Sequence, residues 1–248
     1  MKASSNPAAS AFFELITFAV TEEARPFQNL VGPRSDMRIL LTGIGQRNAE
    51  RAIRGALAEQ LPKLVLTCGF AGGLNPELAT GTVVFSTDEE VRSRRGNEAD
   101  SPLNVQAPPP YVGGYESYLS AALLASGARP AKFHCAEKVA VTAEEKRARW
   151  ASTCADAVEM ESGVIRAICH EHNIPSATVR VISDAANENL PFDFNRLMDA
   201  NQNLSYGKLA LASLKSPGKI SALLKLQKQT RLAAEKLAEV LVRVCQRV

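Results

Sequence analysis

Short apolar runs alternate along this chain with segments in which apolar residues recur every three or four positions. The apolar runs, rich in β-branched and aliphatic residues, predict strands over residues 16–20, 37–42, 64–68, 82–86, 132–141 and 177–182. The periodic segments predict helices over residues 48–61, 115–126, 144–152, 162–173, 194–213 and 219–248. Because strands alternate with helices, we expect a single α/β domain in which helices flank a central mixed or mainly parallel sheet.

Two stretches interrupt this alternation. Residues 1–10 have the composition of a loose tail, and residues 89–114 form an irregular segment that contains Arg92, Arg94 and Arg95. An irregular segment of this length is either a functional lid or a disordered insert, and both interpretations stay open. Elsewhere, Ser162 is a candidate N-cap for the helix that it begins.

Composition narrows the class of protein. The chain has 248 residues, 46% of them hydrophobic and 22% charged, and its net charge of +3 is too small to indicate nucleic-acid binding. The five cysteines are widely spaced, with no CxxC pair, and the three histidines suggest no metal site, so we expect free thiols in a reducing cytoplasm. The apolar run at residues 11–20 is interrupted by Glu14 and reads as a first strand rather than a signal peptide.

Basic residues concentrate at the C-terminus. Residues 208–248 carry nine Lys or Arg against two acids, and residues 216–248 have the pattern of a basic amphipathic helix. Such a helix usually packs on its own domain, but it can also lie on an anionic membrane surface. We therefore keep peripheral membrane contact as an alternative to simple packing.

Carboxylates follow two of the predicted buried segments. Glu159 and Glu161 flank Met160 after one apolar run, and Ser183-Asp184 ends the strand at residues 177–182. Since ligands of open α/β sheets bind at the carboxyl ends of strands, we expect Glu161 and Asp184 to face one pocket. A carboxylate that holds sugar hydroxyls and an acid that protonates a leaving group together indicate glycosidic bond chemistry. The plainer alternative is that these residues are surface charges or loop caps.

Three other motifs are weaker. Glu23, just after the first strand, has the position of a general base on water, although such glutamates are usually solvated. Gly43-Ile44-Gly45 partly imitates a dinucleotide fingerprint, but Asn48 replaces the third glycine, which favours a tight turn. The glycines at residues 69–73 either let a flat ligand approach the backbone or form a sharp turn.

Taken together, these segments resemble the nucleoside phosphorylase and nucleosidase superfamily over residues 16–190, and most closely the pattern of methylthioadenosine/S-adenosylhomocysteine nucleosidases. The stretches that carry the resemblance are Gly43-Ile44-Gly45-Gln46-Arg47-Asn48-Ala49, Gly69-Phe70-Ala71-Gly72-Gly73-Leu74, Glu159-Met160-Glu161 and Arg180-Val181-Ile182-Ser183-Asp184. Their order and spacing match the family.

The resemblance implies catalytic roles for three residues. Asp184 would protonate or hydrogen-bond N7 of a purine, Glu23 would activate the nucleophilic water, and Arg180 would orient the Glu23 carboxylate. No metal or cofactor is implied, although phosphate is an alternative co-substrate.

The same resemblance implies a binding site for the nucleoside. Glu161 would hold the ribose 2′- and 3′-hydroxyls, with Met160 against the sugar and Glu159 nearby. The remaining predicted substrate contacts are Phe70, Ala71, Gly72 and Ser183.

The chain departs from the family pattern at three places. Phe70 replaces a hydroxyl residue of the glycine loop, and the segment at residues 142–145 lacks the aromatic residue that stacks on adenine. Thr67 occupies a position where phosphorylases often carry arginine, which favours water over phosphate as the nucleophile. Arg47, or the cluster of arginines at residues 92–95, is the alternative source of a phosphate site.

Two alternatives to hydrolysis follow. Residues 209–226 and the helix after them are similar to the hopanoid-associated phosphorylase branch, which implies phosphorolysis and cleavage of adenosylhopane. A nucleoside-binding protein without catalysis is the other. In every case the resemblance implies a small-molecule nucleoside ligand, a cytoplasmic protein and a homodimer.

Overall fold

The structure, a computed structural model, describes residues 14–87, 110–199 and 205–247. The predicted tail at residues 1–10 and the arginines at residues 92–95 lie outside these ranges. The strands are β1 (Glu14–Phe18), β2 (Met37–Leu41), β3 (Leu64–Gly73), β4 (Val83–Thr87), β5 (Arg129–Pro130), β6 (Phe133–Cys135), β7 (Ala157–Glu159) and β8 (Ser176–Asp184). The helices are α1 (Thr21–Val31), α2 (Gln46–Glu59), α3 (Pro110–Ala125), α4 (Ala143–Thr153), α5 (Ser162–Glu171), α6 (Phe194–Leu197), α7 (Tyr206–Lys215) and α8 (Ile220–Cys245), with a short 3-10 helix, Pro217–Lys219, before α8.

Within the described residues, the strands form one mixed sheet in the order β2-β1-β3-β8-β4-β5, extended by β7 against β3 and β6 against β7. β2, β1, β3 and β8 run parallel, whereas β4 is antiparallel to β8 and β7 is antiparallel to β3. The α/β prediction of a mixed sheet flanked by helices is therefore confirmed. Because β1, β3 and β8 are parallel neighbours, their carboxyl ends meet at one edge of the sheet.

Helices cover both faces of this sheet. Successive side chains of a strand point to opposite faces, so Leu66 packs with Phe27 of α1 and Leu237 of α8, while its neighbour Val65 packs with Ile53 of α2. All of these side chains are fully buried or nearly so. The two apolar layers hold the central strands rigidly, and they fix the positions of the residues at the strand ends.

Three differences from the predicted elements concern this sheet edge. Helix α1 was not predicted, because only Ala24 and Phe27 are buried apolar residues among its polar ones. β3 continues through the glycines to Gly73, although we predicted that it would end at residue 68. Ser162 begins α5 but is not its N-cap, since Glu161 takes that position.

Elsewhere the predicted strand at residues 132–141 shrinks to β6, and the predicted helix at residues 194–213 divides into α6 and α7. The helix α3 begins at Pro110, inside the segment that we predicted to be irregular. All five cysteines are free thiols. Among the helices described, none is long and apolar enough to cross a membrane.

Candidate active site

A cavity of about 260 Å³ opens at the edge where β1, β3 and β8 end. Nine of the ten predicted site residues line it, namely Glu23, Phe70, Ala71, Gly72, Glu159, Met160, Glu161, Ser183 and Asp184. The tenth, Arg180, lies fully buried behind the carboxylates, with 1% of its surface exposed. The structure therefore brings together residues that are up to about 160 positions apart in the sequence.

Asp184 is the last residue of β8, and both of its carboxylate oxygens have partners. Its Oδ1 lies 2.6 Å from the hydroxyl of Ser183, which is also 3.2 Å from the carbonyl oxygen of Ala71. Its Oδ2 lies 2.5 Å from the ammonium nitrogen of Lys146 in α4. The acid predicted to serve the leaving group is thus held rigidly at the cavity wall.

Glu159 and Glu161 share one cation beneath the cavity. Arg180 Nη2 donates to Glu159 Oε2 at 2.7 Å and lies 3.4 Å from Glu161 Oε2. Glu159 also accepts from the backbone N–H groups of Glu161 and Ser162 and from the Ser162 hydroxyl. Glu161 accepts from the backbone N–H of Gly45 at 2.8 Å.

This unequal sharing separates the pKa values of the two carboxyl groups. Burial acts to raise the pKa of Glu159, but the Arg180 charge and the donors from Ser162 and Glu161 outweigh it and hold that pKa below its usual value. Burial raises the pKa of Glu161 above its usual value; the Arg180 charge opposes this rise and the Glu159 charge adds to it. Glu159 is therefore the permanent partner of Arg180, while Glu161 can titrate near neutral pH.

Glu23 enters the cavity from the first turn of α1. Its Oε2 accepts from the backbone N–H of Ala19 at 2.9 Å and of Val20 at 3.2 Å, and its Oε1 accepts from Phe70 at 2.7 Å. Burial raises its pKa, although the Arg180 charge and these donors oppose the rise. A buried carboxyl of raised pKa at a cavity wall is suited to general-base catalysis.

The hydrogen bonds that fix Glu23 come from the backbone, so the predicted orienting role of Arg180 would have to act through its charge. The ion pairs of Arg180 go to Glu159 and Glu161. Glu23 and Arg180 are nevertheless close, and both side chains lie beside Gly69. A Cβ on Gly69 would lie 2.6 Å from Arg180 Nη1 and 2.6 Å from Glu23 Oε1, and its φ of +146° also favours glycine.

Gly43 and Gly45 form the turn between β2 and α2. Both have positive φ values, 79° and 84°, so the predicted tight strand-to-helix turn is present. The turn carries the Gly45 N–H to Glu161, and Ile44 lines the cavity. The residue predicted as an alternative phosphate ligand, Arg47, is exposed and does not line the cavity.

Sequence reasoning missed the residues that complete the walls. They are Ala19, Val20, Ile44, Lys138, Val139, Ala140, Val158, Leu190, Phe194, Leu226 and Thr230. A second cavity of about 250 Å³ adjoins the first and shares Asp184, Leu190 and Leu226 with it. Most of these residues come from loops and from α8, whose pattern carries no sign of a site.

Lys146 was also missed. It lies in a run of charged residues, Glu144-Glu145-Lys146-Arg147, in which nothing distinguishes it from its exposed neighbours. Among the residues that the structure describes, no cluster of His, Cys, Asp and Glu could hold a metal ion. The carboxyl groups of Glu23, Glu161 and Asp184 line the cavity, and groups of this kind are capable of acid–base chemistry.

The chain is similar to a known protein family and to several solved structures. A family model described as the phosphorylase superfamily matches residues 18–215. The structure resembles futalosine hydrolase of Helicobacter pylori, with 15% identity, a TM-score of 0.64, and coverage of 96% of this chain and 99% of that chain.

It also resembles 5′-methylthioadenosine/S-adenosyl homocysteine nucleosidases from two bacteria. For the Helicobacter pylori enzyme the identity is 15% and the TM-score 0.64, with coverage of 97% of this chain and 100% of that chain. For the Campylobacter jejuni enzyme the identity is 17% and the TM-score 0.63, with coverage of 96% and 100%. At these identities the structural likeness shows the fold.

Proposed function

Because the chain belongs to the phosphorylase superfamily, we propose that it is an enzyme that hydrolyses the N-glycosidic bond of a purine nucleoside, of the adenosine type and with a substituent at C5′. The observation that carries the proposal is the meeting of Asp184, Glu161 and Glu23 around one cavity. These groups supply an acid for the leaving purine, a hydrogen-bond acceptor for the sugar hydroxyls and a general base for water.

The reaction would use the three carboxyl groups in different ways. Asp184 gives its proton to N7 of the purine as the bond from C1′ to N9 breaks, and the bonding electrons leave with the base. Glu23 takes a proton from water as the water oxygen bonds to C1′. The products are the free base and a ribose derivative, and solvent returns the proton from Glu23 to Asp184.

Electrostatics would lower the barrier to this step. Bond cleavage leaves positive charge on C1′ and the ring oxygen, and carboxylates at fixed positions stabilise such charge without reorganising. In its ionised form Glu161 would accept hydrogen bonds from the 2′- and 3′-hydroxyls, with Met160 against the sugar. Because most of the remaining lining is apolar, we propose an apolar substituent at C5′.

The decisive experiment incubates the purified chain with adenosine, 5′-methylthioadenosine, inosine and a 5′-alkyl adenosine, each with and without phosphate, and quantifies free base. We expect base release without phosphate. Release only with phosphate would establish the phosphorylase alternative, and release from none of them would favour the nucleoside-binding protein.

A pair of variants tests the role of the acid. Asp184→Asn removes the proton donor and should lower kcat roughly hundred- to ten-thousand-fold, with a much smaller change in nucleoside binding. Asp193→Asn is the matched control, because Asp193 caps α6 outside the cavity and asparagine caps helices equally well. Unchanged turnover in Asp184→Asn would refute its role.

We propose two kinds of partner. The superfamily resemblance supports a homodimer, which sedimentation would test. The exposed apolar residues of α7 and of the first half of α8 support contact with an anionic membrane, because Leu214 is 80% exposed and Leu224 59% exposed among lysines. Leu226 and Thr230 of α8 line the cavity, so a nucleoside with a lipid tail, as in adenosylhopane, would reach the site from this side.

A further inference from the structure

Lys146 is a charged side chain at a fully buried position. None of its surface is exposed, and it comes from α4, an element that otherwise contributes no buried side chain. Burial of an ammonium group costs several kcal/mol unless partners compensate it. A lysine of this kind therefore needs a specific reason in the fold or in the chemistry.

Its three partners satisfy the whole ammonium group. Lys146 Nζ donates to the backbone carbonyl oxygens of Ala185 at 2.8 Å and Glu188 at 2.9 Å, and it lies 2.5 Å from Asp184 Oδ2. An ammonium group has three N–H donors, so this geometry uses each of them once. The two carbonyls fix where the nitrogen lies, and the nitrogen then fixes the carboxylate.

We propose that Lys146 is a positioning residue for the leaving-group acid, which fixes the orientation of Asp184 and stabilises the carboxylate left when its proton moves to the base. The inference rests on the proposed function of Asp184. With Oδ2 committed to the ammonium, Oδ1 is the oxygen that carries the proton. The Ser183 hydroxyl donates to Oδ1 of the ionised carboxylate; when Oδ1 carries the proton, that hydroxyl can donate to the Ala71 carbonyl instead, which leaves the Oδ1–H for the base.

Lys146 would act in the step in which negative charge forms on Asp184. In the forward step the proton leaves Asp184 Oδ1 for N7 of the base, and Asp184 becomes a carboxylate. Its Oδ2 lies 2.5 Å from Lys146 Nζ, a cation that does not have to move. A preorganised opposite charge lowers the energy of that product state and of the transition state before it. Lys146 itself neither gains nor loses a proton.

Two leaving groups separate this role from a structural one. A purine must be protonated to leave, whereas p-nitrophenolate leaves without protonation. We would measure kcat and KM of native chain and Lys146→Gln with a purine nucleoside that the native chain cleaves and with p-nitrophenyl β-D-ribofuranoside. Arg147→Gln is the matched control, because it removes the neighbouring exposed cation of the same helix.

For Lys146→Gln we expect kcat with the nucleoside to fall about ten- to hundred-fold, part of what a general acid supplies. KM and the rate with the p-nitrophenyl riboside should change by less than about three-fold, since neither depends on acid help. Partial unfolding would lower both rates equally, so the ratio of the two rates reports the effect on the acid alone.

An unchanged ratio in Lys146→Gln, including equal and complete loss with both substrates, would overturn the inference and leave the proposed function standing. A fall in the ratio for Arg147→Gln as well would also overturn it, because the effect would then be one of general charge. If the native chain released no base from any nucleoside, both the proposed function and this inference would fail.

Discussion

Replacing Glu161 with glutamine should make the protein more stable at pH 8 and less active. Glu161 is buried, and the cation nearest to it already forms its shorter ion pair with Glu159. Glutamine keeps the size of the side chain and can still accept from the Gly45 N–H, but it carries no charge. The substitution therefore removes a buried carboxylate whose charge is only partly compensated.

The size of the gain follows from the pKa of Glu161, which burial raises from 4.5 to about 7. At 1.36 kcal/mol for each pH unit, this interval corresponds to about 3 kcal/mol. Below pH 4.5 the carboxyl is protonated in both the folded and the unfolded chain, and its burial carries no charge penalty. Between pH 4.5 and about 7 only the folded chain keeps the proton, so the stability contributed by Glu161 falls as pH rises.

Urea unfolding of native and Glu161→Gln chains at pH 8 and pH 5, followed by circular dichroism, measures this difference. The gain in unfolding free energy should be about 3 kcal/mol at pH 8 and under about 1 kcal/mol at pH 5. Effects of repacking are present at both pH values and cancel when the two gains are subtracted. A gain that is the same at pH 5 and pH 8 would refute the argument.

Glu159→Gln is the matched control, and the expected sign is opposite. The pKa of Glu159 is held below its usual value. Its ionised form therefore stabilises the fold at pH values above the usual pKa, and this contribution is lost in acid. Glu159→Gln should therefore destabilise the protein at pH 8. Stabilisation by both substitutions would mean that Arg180 does not distinguish the two carboxylates.

Four further outcomes are expected. Activity of the native chain, as kcat/KM against pH, should fall as pH drops below about 7, because Glu161 loses the charge that accepts sugar hydroxyls; a flat profile down to pH 5 would contradict this. Glu23→Gln should lower kcat roughly hundred- to ten-thousand-fold while nucleoside binding, measured by calorimetry, is retained. Gly69→Ala should lower the unfolding free energy by about 2 kcal/mol in urea, since its Cβ would meet Glu23; an unchanged midpoint would argue against the close approach. In flotation, the native chain should bind phosphatidylserine vesicles but not neutral ones, and Leu214→Ser with Leu224→Ser should bind less; equal binding by both chains would exclude these leucines as the membrane contact.

The strand ends were predictable because they combine two independent signals. A continuous apolar run predicts a buried strand, and a carboxylate directly after it predicts a site at the carboxyl edge of the sheet. Asp184 has both signals, and the structure brings it to the cavity with Glu161. Glu23 follows its strand less directly, because β1 ends at Phe18 and Glu23 lies in the first turn of α1.

The remaining features depend on contacts that no local pattern records. Lys146 looks like a solvated helix residue, and its burial results from the packing of α4 beside the loop after β8. Leu226 and Thr230 belong to a helix whose apolar residues are accounted for by its packing near residues 233–245, yet its earlier turns form a wall of the cavity. Tertiary placement, rather than periodicity, gives these residues their importance.

The charge balance of the described site bears on the choice between water and phosphate. Phosphate brings about two negative charges to a cavity that Glu23, Glu161 and Asp184 already line, and it needs unengaged cations there. Arg180 is occupied by carboxylates and by the carbonyl oxygen of Cys68, and all three donors of Lys146 are used. Water requires only an acceptor for its proton, which Glu23 provides. We therefore expect added phosphate to leave the rate of base release unchanged. Acceleration by phosphate would mean that Lys138 at the cavity wall, or a cation outside the described residues, completes an anion site.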